Sequence, residues 1–174
     1  CSSTGSDIDS AISVIADMYD METLHIDGIG PEGAKLSTLA AVSDMSKLNS
    51  LWAGGNRISS LAPLTGKTAL TDLHLDHNNI SNISVISDGT GLPNLKSVSM
   101  AYNCIASITP LKNLTNLEGL NVGANQITSI SDLANLNGIK NLCLFSNPVN
   151  DVNNDAQIGA IAGMTGMEEL HIDS

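Results

Sequence analysis

Aromatic rings are nearly absent from this chain. Trp, Tyr and Phe together make 2% of its 174 residues, as one Trp, two Tyr and one Phe. A compact globule draws part of its core from large rings, so a core left to Leu, Ile, Val and Ala points to something thin and regular. Positive charge is scarce too: seven Lys and Arg stand against 18 Asp and Glu, a formal net charge of −11. Nucleic acid and anionic membranes both need cationic surfaces, and both are excluded as partners by this balance. No apolar run reaches the roughly 18 residues that a spanning helix requires. Only three cysteines occur, Cys1, Cys104 and Cys143, an odd and sparse set that makes no disulfide framework.

The apolar residues are periodic. From Leu48 they run Leu51, Ala53, Ile58, Leu61 and Leu64, and the series restarts at Leu70 with Leu73, Leu75, Ile80, Ile83 and Ile86. It restarts again at Leu95, Leu117 and Ile139, and the same template extends outward to Met21, Leu24, Ile26 and to Met167, Leu170, Ile172. Seven starts result, 22 residues apart where the spacing is regular and 25 to 28 apart at three insertions. The pattern L-x-x-L-x-L-x-x-N-x-I at this period is the leucine-rich repeat signature. Its alternating L-x-L is a short strand with aliphatic side chains inward, and one repeat cannot bury its apolar edge without a neighbour. The expected fold is therefore α/β: a leucine-rich repeat solenoid, a curved horseshoe with a parallel sheet on its concave face and an N-terminal capping helix.

The expected organisation is a flexible tether over 1–6, a capping helix over 7–20 and about seven repeats over 21–174. Ile8, Ala11, Ile12, Ile15 and Tyr19 lie at helical spacing behind Ser6, a candidate N-cap. The long turns 30–47 and 150–166 predict helical stretches on the convex side, with Pro31 suited to a helix start. Asn56, Asn78, Asn103, Asn125 and Asn147 recur where the chain bends inward after each strand. An amide that both donates and accepts suits backbone groups buried there, so this ladder is read as structural. After Ile172 only Asp173 and Ser174 remain, so the last strand is expected to be uncovered, and an exposed edge invites pairing with a second copy.

The stretch "ITPLKNLTNLEGLNVGANQITSISDLANLNGI" over 108–139 resembles the 22-residue repeats of bacterial internalins, and "ISSLAPLTGKTALTDLHLDHNNI" fits with Lys67 where Leu is usual. The resemblance implies a horseshoe that binds a protein by its concave sheet, on a bacterial surface or secreted. Related 22-residue repeats in intracellular phosphatase-regulating and dynein-associated proteins imply the alternative of an intracellular regulatory scaffold. Cys1 followed by Ser-Ser-Thr-Gly-Ser resembles the start of a mature bacterial lipoprotein, which makes Cys1 a lipidation candidate and the only expected link to a membrane.

The template names the outward positions of the sheet, and all four histidines fall on them: His25, His74, His77 and His171. Trp52, Tyr102 and Phe145 fall there as well, leaving Tyr19 elsewhere among the rings. Rigid rings on an accessible face are the material of binding hot spots. Asp27, Asp72, Asp76, Glu169 and Asp173 share that face, whereas Lys35, Lys47, Arg57, Lys67, Lys96, Lys112 and Lys140 lie off it. An acidic, ring-bearing surface suits a neutral or cationic protein or peptide. The candidate ligand-binding residues are His25, Asp27, Trp52, Asp72, His74, Asp76, His77, Tyr102 and Phe145, densest on the first three strands.

Other chemistries fit less well. His25 and His74 stand two strands apart, roughly 10 Å, too far to share an ion that needs bonds of about 2 Å, so neither a metal nor another cofactor is expected. "DVNND" at 151–155 begins like a calcium loop but has Ala156 where Gly is needed and Ala162 where the closing Glu would stand. Ser99, His77 and Asp76 could be assembled into a hydrolytic triad, yet a flat sheet offers no oxyanion pocket, and no enzymatic role is expected. Cys104 and Cys143, two repeats apart in different columns, exceed the roughly 7 Å Cα limit for a disulfide; they read as free thiols, Cys104 buried and Cys143 on the concave face.

Overall fold

The structure, a computed structural model, describes residues 9–10, 12–28, 35–87, 91–149 and 155–173. Seven three-residue strands form one parallel sheet in chain order: β1 (Thr23–His25), β2 (Ser50–Trp52), β3 (Asp72–His74), β4 (Ser97–Ser99), β5 (Gly119–Asn121), β6 (Asn141–Cys143) and β7 (Glu169–His171). Their register is one to one, so Leu24, Leu51, Leu73, Val98, Leu120, Leu142 and Leu170 make a single row. Because side chains alternate across a strand, that row points inward and its neighbours at each strand's ends point out. The chain is a leucine-rich repeat solenoid, with its core running the length of the stack behind the sheet.

Short 3₁₀ turns line the opposite wall at Ala40–Val42, Ala62–Leu64, Ser84–Ile86, Thr109–Leu111 and Ser131–Leu133. Pro63 and Pro110 preset the backbone at the openings of two of them. Each turn is also capped from upstream. The N–H groups of Ala40, Ala62, Ser84, Thr109 and Ser131 donate to Thr38, Ser60, Asn82, Ser107 and Ser129 side-chain oxygens at 2.9 to 3.4 Å. This hydroxyl-and-amide column is local turn chemistry.

The Asn ladder is fully bonded. Asn78 accepts from the Ile58 N–H at 2.9 Å and donates to the carbonyls of Ala53, Leu75 and Asp76. Asn56, Asn103, Asn125 and Asn147 repeat the arrangement, each amide tying its own bend to the preceding repeat. The residue before each ladder Asn adopts a left-handed backbone, and so does Gly28 at the same place in the first repeat, where Ile29 replaces the Asn: Gly28, Gly55, His77, Tyr102, Ala124 and Ser146 have φ of 46° to 67°. Only Gly takes that conformation without steric cost.

Several expectations are modified. Asp9, Ser10 and Ile12 are helical, but the segment passes into a 3₁₀ turn at Ser13–Ile15, so Tyr19 lies past it and is exposed. Asp9 accepts from the Ser37 backbone and hydroxyl, which fastens the segment to the next loop, and Ile12 enters the core. The convex helix expected in the second long turn is α1 (Asp155–Ala162). In the first long turn the described residues hold only the 3₁₀ turn Ala40–Val42. Cys104 is exposed rather than buried, because it follows the ladder Asn on the outward side of the bend while Ile105 turns in. Cys1, Ser6, Pro31 and Asp151 to Asn154 of the calcium-like segment lie outside the described residues.

Lys67 occupies the core column held elsewhere by Met45, Leu92, Leu114 and Leu136, and only 3% of it is exposed. Its Nζ donates to the carbonyls of Ser43 and Met45 at 2.9 and 3.0 Å. The aliphatic stem fills a leucine's place while the ammonium reaches the edge of the preceding repeat, the usual division of labour in a long cationic side chain. Burial pushes its pKa below the ordinary lysine value, with Asp44 opposing.

Candidate functional site

The outward face of the sheet and its bends is built from four columns per repeat, occupied in the third repeat by Asp72, His74, Asp76 and His77, and the parallel register stacks like positions one above another. In the column at the ends of β1, β2 and β3, His25, Trp52 and His74 form one continuous ring stack. Centroids lie 5.3 Å apart between His25 and Trp52 and 3.7 Å between Trp52 and His74, with interplanar angles of 17° and 14°. The Trp52 Nε1–H donates to Ser50 Oγ at 3.1 Å, which fixes the indole in its plane.

A second ring group sits in the bends beyond the strands. His77 stacks on Tyr102 at 4.2 Å and 8°, and Phe145 tilts against Tyr102 at 5.8 Å and 59°. Phe145 reaches Tyr102 across an intervening repeat because the residue between them is Gly123, where an added Cβ would overlap the Phe145 ring. Six rings scattered over 121 residues of sequence thus become two groups on one surface. His171, on β7, belongs to neither.

The carboxylates divide into roles the sequence did not separate. Asp76 Oδ1 accepts from Ser99 Oγ and the Ala101 N–H, both at 2.7 Å, and Asp27 Oδ1 accepts from the Gly54 N–H at 2.6 Å. Each satisfies the N–H at the bend of the next repeat, which the strand ladder leaves over. Asp72 Oδ2 accepts from Thr71 Oγ1 at 2.6 Å. Because Ser99 donates to Asp76 and His77 lies on Tyr102, no Ser99–His77 hydrogen bond forms and the triad is not assembled.

Burial lowers the proton affinity of His74; Asp76, Asp72 and Asp27 pull the other way and His25 adds to the lowering. The Cys143 thiol is pushed up by burial, with Glu169 and Asp173 contributing. Among the cations, Lys47 pairs with Asp20 and Lys140 with Glu118, each at 2.6 Å and away from the face. Lys35 departs from the sequence reading, since its ammonium lies over Gly28 at the β1 end of the face. Among the described residues no group of three or more His, Cys, Asp or Glu is arranged to hold a metal ion.

Beyond the first ring stack the face is lined by small polar residues. A shallow hollow of about 260 Å³ opens over β4 to β6, walled by His74 and floored by Ser97, Ser99, Gly119, Asn121 and Cys143. The candidate residues are densest on β1 to β3, where His25, Trp52 and His74 cover one another, and this hollow adjoins them. The signal was present in the columns, where Ser, Gly and Asn replace the rings after β3.

A family profile described as "Leucine Rich repeats (2 copies)" matches residues 93–135. No curated protein matches the chain. Among solved structures, an internalin from Listeria monocytogenes is 26% identical with a TM-score of 0.81 over 93% of this chain. The chain spans 44% of that internalin's length. Internalin C2 from the same organism is 24% identical with a TM-score of 0.52, over 94% of this chain and 91% of its own. The leucine-rich repeat ectodomain of a plant membrane receptor kinase from Arabidopsis thaliana, solved in complex with Casparian strip integrity factor 2, shares the fold at 18% identity. Its TM-score is 0.71 over 92% of this chain and 19% of its own.

Proposed function

As an internalin-like leucine-rich repeat protein, the chain is, we propose, a non-catalytic module that binds a protein or peptide on the concave face of its sheet. The observation that carries this is the gathering of six of the eight rings into two ordered groups on that one face. Nothing in the core asks for them, since no buried core residue carries an aromatic ring, and Trp52 and Tyr102 remain 36% and 49% exposed. Large rigid rings contribute binding area at little entropic cost. The plant ectodomain in complex with its factor supports the reading that this scaffold holds a protein partner.

A displayed peptide library, selected against the intact protein and against a Trp52→Ala, Tyr102→Ala double variant, tests the proposal. Enrichment of sequences that bind the intact chain and not the variant is the expected result. Equal enrichment on both, or none on either, would sink the reading. The likeness to internalins further supports an extracytoplasmic protein, at a bacterial surface or secreted, and a lipid on Cys1 belongs to that reading. Mass spectrometry of the native protein showing an unmodified Cys1 would remove the lipid.

A further inference from the structure

The ring stack climbs one rung per strand through His25, Trp52 and His74, and at β4 it stops. The residue paired with His74 in that column is Ser99, followed by Asn121 and Cys143. Trp52 covers one face of His74 at 3.7 Å. The other face, toward β4, walls the hollow over Ser97 and Ser99. Neighbouring strands are about 4.8 Å apart, so the space over Ser99 admits one planar group lying parallel to the rings.

Its surroundings specify the charge of that group. Asp72 and Asp76 stand two residues before and two after His74 on the same face of the sheet; Asp72 is paired in register with Ser97 and Asp76 accepts from Ser99, two residues that line the hollow. Asp72 uses Oδ2 and Asp76 uses Oδ1 within the protein, so among the described residues each keeps one carboxylate oxygen without a hydrogen bond. No Lys or Arg lines the hollow. Two half-engaged carboxylates next to a hollow that no Lys or Arg lines favour a positive ligand. A planar cation with several N–H donors fits better than a compact ammonium, because it stacks and bridges two acceptors at once.

We propose that this hollow seats an arginine side chain of a peptide ligand, with the guanidinium stacked on the free face of His74 over Ser99 and its N–H groups donating to Asp72 and Asp76. The inference rests on the concave-face binding reading and gives it a ligand chemistry. The Trp52 indole, the chain's sole tryptophan, touches His74 directly and reports the event.

The test titrates the intact protein with acetyl-Gly-Arg-Gly-amide, following Trp52 fluorescence and backbone amide shifts. Peptides carrying citrulline, lysine or phenylalanine in place of arginine serve as comparisons. Saturable binding by the arginine peptide is expected, with shifts centred on Ser97, Ser99 and Asn121, and affinities weaker by about tenfold for the citrulline and lysine peptides. Ser99→Phe, which fills the hollow from a half-buried position and leaves Trp52 the sole tryptophan, should abolish the response. Absence of saturation with the wild-type chain, shifts centred elsewhere, or equal binding of the citrulline or phenylalanine peptide would overturn the assignment. If arginine peptides fail while library ligands still depend on Trp52 and Tyr102, only this inference falls. A library that yields no face-dependent ligand removes the binding reading itself.

Discussion

His77 and Tyr102 carry φ of 55° and 56°, in the left-handed region where a side chain costs about 1–2 kcal/mol. It would be easy to read this strain as the mark of a binding site. Ala124 and Ser146 share the conformation at φ of 50° and 51°, so the repeat frame imposes it and the rings merely occupy it. Ala124→Gly should therefore stabilise the protein by about 0.5–1 kcal/mol, after the extra chain entropy of Gly is subtracted, as a rise in the urea midpoint. His74 makes a second prediction. Burial holds its folded pKa below the ordinary 6.5 despite the nearby Asp76, Asp72 and Asp27. The unfolded chain then takes up the proton first, so this contribution is complete above pH 6.5 and is lost as pH falls through the folded value. Urea midpoints measured against pH should fall over that window, and His74→Gln should flatten the fall.

At the scale of one repeat, the amide ladder and the inward row act together. Asn103 accepts from Ile80 N–H and donates to the carbonyls of Leu75, Met100 and Ala101. Asn103→Ala strands these groups in a dry bend, where each orphan costs about 1–3 kcal/mol. A loss of about 3–5 kcal/mol by denaturant titration is expected, less than the full sum because neighbouring groups relax. Lys67 gives its repeat a pH dependence of its own. With its folded pKa below 10.5 through burial, and Asp44 opposing, the unfolded chain keeps the proton to higher pH than the native one. Its linkage term therefore raises stability as pH climbs from the folded value toward 10.5. Comparison of alkaline urea titrations should show that rise missing from Lys67→Met.

Across the whole molecule, the backbone ladder of each strand reaches only the strands beside it, although the Tyr102–Phe145 ring contact skips one repeat, so protection should grade along the stack. Repeats with a partner on both sides bury their inward leucines completely, while β7 leaves all three of its residues exposed. Amide exchange should be slowest for the ladder N–H groups of Leu75, Met100 and Val122, whose acceptors are Ser99, Asn121 and Cys143. It should be fastest at the β7 end. Uniform protection from end to end would contradict nearest-neighbour stabilisation.

The repeat itself was legible, because its cause is local and periodic. A strand buries alternate residues, and a bend with buried backbone groups needs an amide; seven copies of the apolar-x-apolar strand and five Asn state both. Which face carries the rings followed from the same period. Three things did not follow. The left-handed column was hinted at by Gly28 and Gly55 alone, since His, Tyr, Ala and Ser tolerate that conformation only when the surrounding bonds enforce it. The burial of Lys67 depended on two carbonyls of another repeat lying within reach of its ammonium. The division of the face into self-covered rings and an adjoining hollow depended on register. Composition and period determined a leucine-rich solenoid with an acidic, ring-bearing face. Tertiary structure decided which rings cover each other, which carboxylates are spent on backbone N–H groups and where space remains, because those are distances between repeats that a pattern along one chain does not contain.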